Sequence, residues 1–186
     1  MLSDDPNNVR AFQALAEIVS RRAAGMGPDA DPLSAATDPV ERQRAADLAV
    51  WSLAEELAGH PRAWHPLVEL ARLSAQDDHE GTLRRLATAA ERDPSGEALA
   101  EGLAVLRDAG KPVDALGLGI GHWRPRDQTP EVGRQLVLAA LEAGRPLEAR
   151  QHLGALDLYP DQGAISALRA DLTLAVTQAE QEIAGT

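Results

Sequence analysis

The sequence of 186 residues contains no cysteine, which excludes disulfides, thiol nucleophiles and cysteine-ligated zinc together. Aromatic residues make up 3% of it: Phe12, Tyr159, Trp51, Trp64 and Trp123. Packing therefore falls to Ala and Leu, which suits closely spaced helices better than sheets that draw on Val, Ile and aromatics. No apolar run approaches the roughly 18 residues that a membrane span needs. The opening MLSDDPNN is acidic where a secretory leader would be basic and then apolar, so a cytoplasmic protein with no membrane partner is expected. Lysine is nearly absent as well: Lys111 stands alone beside 17 arginines. Net charge is −11, and residues 1–93, with 16 acids and 10 bases, are as acidic in balance as the rest. Neither half is a basic module, so phosphate-based nucleic-acid binding is not expected.

What is present is helical periodicity throughout, with no alternating strand pattern. The spacing predicts a helix from about Asn8 to Arg22, with Phe12, Leu15, Ala16 and Val19 along one side. GMGPDADPLSAATD, residues 25–38, is turn and loop chemistry, and an irregular, mobile loop is expected there. Asp38-Pro39-Val40-Glu41 announces a second helix that runs to Gly59: an Asp cap, Pro at the first position and a Glu three residues on. Six shorter helices follow at about 63–75, 79–92, 96–109, 112–121, 130–143 and 146–156. A ninth spans roughly 161–183, with Ile165, Leu168, Leu172, Val176 and Ala179 as a single apolar stripe. A helix with one buried side belongs at an end.

One phrase occurs twice. Residues 109–116 read AGKPVDAL and residues 143–150 read AGRPLEAR, which sets Gly110 and Gly144 34 positions apart. Gly can take the left-handed conformation that ends a helix, and Pro starts the next one without needing its missing N–H. Each copy thus reads as the tight turn between two antiparallel helices, at the period of stacked helical repeats.

These residues resemble the tetratricopeptide repeat family. Asp5-Pro6-Asn7-Asn8 looks like a unit ending, followed by Ala11, Phe12, Leu15 and Ala16 on the next first helix. Pro61, Trp64, Leu67, Leu70 and Ala71 resemble that helix in a second unit, closing with Leu83, Leu86, Ala89, Ala90, Asp93 and Pro94. Leu99, Leu103 and Ala104 with Gly110 and Ala115 make a third; Leu136, Ala139, Gly144, Ala149 and Leu153 make a fourth that ends near Tyr159-Pro160. The resemblance implies an all-α fold: a right-handed superhelix of antiparallel helix pairs forming a single domain over 1–186. It would hold about four repeats over 5–160, an inserted loop at 23–38 and a capping helix at 161–183. The copies are degenerate, since only Trp64 supplies the family's large aromatic in register.

Catalytic motifs are missing from the sequence. GLGIGHW, residues 117–123, lacks the preceding strand and third glycine of a phosphate cradle, and its glycines read as close-approach positions in a weak helix. His79-Glu80 has no second His four positions after the first, and His60 and His65 are five apart between prolines, so no metal site is expected. None of the seven serines sits in a nucleophile elbow. No catalytic residue, cofactor or metal is assigned.

The resemblance instead implies a partner-binding surface in the groove lined by each unit's first helix. Helical spacing puts Arg10, Gln13, Glu17, His65, Val68, Arg72, Glu101, Val105, Arg134, Leu138 and Leu141 there. Arg72 and Arg134 are expected to project inward beside Val68, Val105 and Leu138, with the arginines selecting acidic or carbonyl groups of an apolar segment. The alternative for Val105 and Leu138 is membership of the core of a tightly wound stack. Gln13 and Glu17 stand where a Lys/Asn carboxylate clamp would be wanted, so a chaperone-tail adaptor is not expected. Trp123, with Arg124 and Arg126, reads as a second contact point or as a plug over its glycine-rich helix. The expected function is a non-catalytic scaffold module binding a protein or peptide segment. An all-α enzyme or small-ligand protein, or a self-associating structural module, is the alternative.

Overall fold

The computed structural model describes residue 2, residues 5–25 and residues 38–184, and among these the chain is all α with no strand. The helices are α1 (Val9–Ala23), α2 (Pro39–Ala58), α3 (His65–Ser74), α4 (His79–Arg92), α5 (Glu97–Asp108), α6 (Pro112–His122), α7 (Pro130–Glu142), α8 (Pro146–Ala155) and α9 (Ser166–Ala184), with a short 3-10 turn at Leu156–Leu158. The expected loop at 25–38 lies outside the described residues apart from its ends. Gly25 closes α1 at φ 70°, and Asp38 caps α2 by accepting the Val40 N–H at 2.9 Å.

Local chemistry sets the boundaries. Asn8 accepts the Ala11 N–H at 3.0 Å and Asp78 the Gly81 N–H at 2.8 Å, each satisfying a first-turn donor of its helix. The two copies of the repeated phrase build the same turn. Gly110 and Gly144 sit at φ 73° and 70°. The N–H groups of Gly110 and Lys111 bond back to Arg107 and Leu106, and those of Gly144 and Arg145 bond back to Leu141 and Ala140. This pair of reverse bonds is the Schellman closure that a left-handed glycine permits. Pro112 and Pro146 then open α6 and α8, and Ala115 and Ala149 are wholly buried against the preceding helix. The last helix starts later than the spacing predicts. Asp161 accepts the Ala164 N–H, and Gln162 donates to the carbonyls of Leu156 and Tyr159, which holds the stretch before Ser166 as turns.

Consecutive helices pack on one another along the chain, and a second set of contacts skips one helix: α5 lies against both α3 and α7, α4 touches α6, and α9 packs on α7 and α8. A long core runs through α3–α9, built on Leu86, Leu99, Leu103, Leu106, Leu116, Val132, Leu136 and Leu156, and closed by Leu172 and Val176 of α9. A smaller cluster of Phe12, Ala54 and Leu70, with Trp51 and Leu57 beside it, joins α1 and α2 to α3. Arg92 strengthens this junction, because its guanidinium approaches the carbonyls of Ala58, His60 and Ala63 at 3.0, 3.2 and 2.8 Å.

The three glycines of α6 divide into two kinds. A Cβ on Gly119 would collide with Leu136 of α7, whereas Gly117 and Gly121 have nothing within 4 Å. Only Gly119 is a close-approach position; the other two leave backbone freedom unopposed. Gly117→Ala and Gly121→Ala are each expected to stabilise the fold by about 0.5–1 kcal/mol through helix propensity. Urea denaturation of the double variant checks this, and an unchanged or lower midpoint would mean these positions carry contacts of their own.

Candidate functional site

A cleft of about 380 Å³ crosses three helices. Its walls are Asn7 and Val9 from the N-terminal segment, Trp64 at the start of α3, Glu97, Ala100, Glu101 and Ala104 of α5, and Thr129, Glu131 and Gln135 of α7. The α5 residues recur at the three- and four-residue steps that put side chains on one helix face. Ala100 and Ala104 are small enough to leave a floor between the helices. Each helix start that frames the cleft is held by a polar side chain. Buried Asp93 caps α5, accepting the Ala98 N–H at 2.8 Å and the Ser95 hydroxyl at 2.6 Å. Thr129 accepts the Glu131 N–H on α7. Asn7 accepts the N–H groups of Trp64 and His65 at 2.7 and 3.1 Å and so caps α3 across 57 residues of sequence.

The cleft is rich in acceptors. Glu131 is already engaged, receiving the Arg134 guanidinium at 2.8 and 2.9 Å and the Gln135 amide at 2.7 Å. Gln135 in turn accepts from Arg107, which forms a two-bond pair with Glu142. Among the described residues, no hydrogen bond reaches the carboxylates of Glu97 or Glu101. Behind Glu101 lies the ring of His65. It is 3% exposed, and it packs edge-on against Phe12 and Trp64 at centroid distances of 5.2 and 5.7 Å. Its Nδ1 is 3.6 Å from a Glu101 oxygen, too far for a hydrogen bond, and neither ring nitrogen has a partner.

The expected groove residues are distributed differently from the spacing's prediction. Val68 and Val105 are 0% and 2% exposed and belong to the core, so neither presents a surface to a partner. On α5 the cleft face is 97, 100, 101 and 104. Val105 lies one residue further, about 100° round the helix, and turns inward. His65 is likewise buried, behind the cleft wall. Leu138 and Leu141 are half-buried and pack on the main core. Arg10 and Gln13 are exposed on α1 and do not line the cleft, and Glu17 pairs with Arg21. Arg72 is exposed beside Glu69 at 3.4 Å, and Arg134 is held by Glu131, so each arginine has a carboxylate three residues before it on its own helix. Of the expected residues, Glu101 lines the cleft. Asn7, Glu97, Ala104, Glu131 and Gln135 were not anticipated. The signal for Glu97 and Glu101 was available: two acids four apart on one helix face repel unless something sits between them.

Trp123 stands apart from this cleft. Its ring is half-buried and packs on Gly133 of α7, where an added Cβ would come within 2.9 Å of it, and edge-on toward His152 at 6.2 Å. It is a plug, but over Gly133 and not over the glycines of its own helix. Burial lowers the pKa of His152 below the ordinary histidine value, opposed by Glu148 at 3.8 Å. A histidine with a depressed folded pKa contributes stability that is complete above the unfolded pKa, about 6.5, and lost as pH falls toward the folded value. Stability is therefore expected to decline as the pH is lowered through 6.5 toward that depressed value. His152→Gln is expected to remove that component, and identical pH profiles for the two proteins would contradict it.

A larger concavity of about 860 Å³ lies at the other end, between the start of α8 and the end of α9. Leu147 and Ile183, 73% and 59% exposed, form its apolar walls, and none of the expected site residues is there. Among the described residues, no group of three His, Asp or Glu is placed to hold a metal ion. No described helix is long and apolar enough to cross a membrane. No protein-family model, curated protein or solved structure matches the chain.

Proposed function

We propose that the chain is a non-catalytic, cytoplasmic interaction module of the tetratricopeptide-like kind, in which α3/α4, α5/α6 and α7/α8 are successive pairs and a protein segment is held across their first helices. The observation that carries this reading is the cleft walled by α5, α7, Trp64 just before α3 and Asn7 and Val9 at the start of α1, where the carboxylates of Glu97 and Glu101 receive no hydrogen bond among the described residues. The identical Schellman turns at Gly110 and Gly144, and the contacts of α5 with both α3 and α7, support the pairing. The groups with displaced titration are Asp78, His152 and the Arg150–Glu180 ion pair, and these three places do not share a cavity, which favours binding over acid–base chemistry. Selection of random peptides displayed on phage against the full chain tests the proposal. Bound peptides should protect the amides of Ala100, Glu101 and Ala104 from hydrogen exchange. Recovery of no peptide, or protection confined to other helices, would remove the module reading.

A further inference from the structure

The charge of the cleft goes further than the presence of a cleft, and the inference drawn from it rests on the module reading above. We infer that the segment held between α3, α5 and α7 is basic, and that it inserts an arginine or lysine side chain between Glu97 and Glu101 of α5 and Glu131 of α7.

Among the described residues, three carboxylates line the cleft and no cationic side chain does. Arg134, the nearest cation by connectivity, is spent on Glu131. Arg107 is spent on Glu142 and Gln135. Glu97 and Glu101 share one face of α5 at a four-residue spacing, an arrangement of like charges that works against the helix and that a cation placed between them would reverse. The second observation is independent of the acids. His65 is a buried imidazole whose two nitrogens have no hydrogen-bond partner among the described residues, and its Nδ1 lies 3.6 Å from the Glu101 carboxylate on the cleft wall. A buried polar ring without partners is costly. At 3.6 Å the ring forms no hydrogen bond with Glu101 and so does not satisfy that carboxylate. The cleft thus has a surplus of acceptors and a deficit of donors. A guanidinium brings five N–H groups in a planar fork and an ammonium brings three, and none of the described residues supplies either to the cleft.

The stem of such a side chain also fits. Ala100, Ala104, Val9 and the rim of Trp64 offer an apolar floor for methylenes while the charged head meets the acids. The chain's own segment 26–37, MGPDADPLSAAT, carries two aspartates and no base, so its charge is the wrong sign for this cleft. The occupant is therefore a segment of another protein. This inverts the expectation that Arg72 and Arg134 select acidic groups.

The test uses the peptides recovered in the selection, labelled with fluorescein and measured by fluorescence anisotropy, beside counterparts in which arginine is replaced by neutral citrulline or lysine by acetyl-lysine. Glu97→Gln with Glu101→Gln should weaken binding about 10-fold or more, the loss expected for charge-assisted hydrogen bonds to a partly buried pair. Glu80→Gln with Glu91→Gln, on the exposed face of α4, makes the same change in net charge and should leave affinity unchanged, which separates the cleft from the general acidity of the chain. The cleft substitutions, at one exposed and one half-buried position, remove a repulsion, so the variant should fold as the parent does, and circular dichroism checks that. Neutralised peptides should lose affinity for the parent and lose little more against the cleft variant. Peptides that protect α5 yet contain no base, or that bind parent and cleft variant alike, would overturn the basic-segment inference while leaving the module reading in place. Recovery of no peptide would overturn both.

Discussion

Replacing Asn7 by Ala is expected to destabilise the protein by about 2–3 kcal/mol, a large effect for a residue outside every helix. The reason is a capping job done at a distance. Trp64, at the cap position of α3, offers no side-chain hydrogen bond to the helix. The first-turn donors of Trp64 and His65 are satisfied instead by the Asn7 carbonyl oxygen, while the Asn7 amide donates to the Arg62 carbonyl at 2.7 Å. Alanine removes all three bonds and leaves partly buried donors facing a wall already formed by Trp64. Asn7→Asp should recover part of the loss, because a carboxylate still accepts and suits a helix N-terminus, although it cannot donate to Arg62. Urea denaturation gives the magnitudes, and hydrogen exchange at the first turn of α3 gives the location. A loss below about 0.5 kcal/mol for Asn7→Ala, the scale of an ordinary surface change, would show that water substitutes fully for the cap.

That cap explains what could and could not be read along the chain. Helix boundaries were legible because their determinants are local: Asp38 and Asp78 act within three residues, and each turn at Gly110 and Gly144 closes its helix by a bond from the glycine to the carbonyl three positions back and one from the next residue to the carbonyl five positions back. The late start of α9 was not legible, because Gln162 reaches back to Leu156 and Tyr159 and competes with helix formation. Site residues were harder still. Periodicity locates a helix face only to within a residue, and one residue is about 100°. That is the difference between Ala104 at the cleft and Val105 in the core. Arg72 and Arg134 were expected to project inward and select acidic or carbonyl groups; on their own helices Glu69 and Glu131, three residues earlier, pair with them. Asn7 at the cleft was beyond any local reading, since its partners lie 57 and 58 residues away.

The contact between α6 and α7 gives a prediction in which two damaging changes relieve each other. Leu136 of α7 is fully buried and lies over Gly119 of α6 so closely that a Cβ there would overlap its side chain, with Leu136 Cγ at 3.0 Å. Leu136→Ala alone should cost about 3 kcal/mol, the loss of a buried side chain plus the cavity it leaves. Gly119→Ala alone should cost about 1–2 kcal/mol: the methyl forces a buried leucine off its position, and this exceeds the propensity gain of alanine over glycine. Leu136 cannot simply rotate away, because it sits within the packed core of α3–α9. In the double variant the added methyl enters the space that the leucine has left, and the propensity gain is no longer opposed. The double change should therefore cost less than the sum of the two by at least about 1 kcal/mol, a coupling typical of residues in direct contact. Denaturation of the four proteins closes the cycle. Strict additivity would mean that α6 and α7 do not meet through this pair, and the close approach assigned to Gly119 would have to be withdrawn.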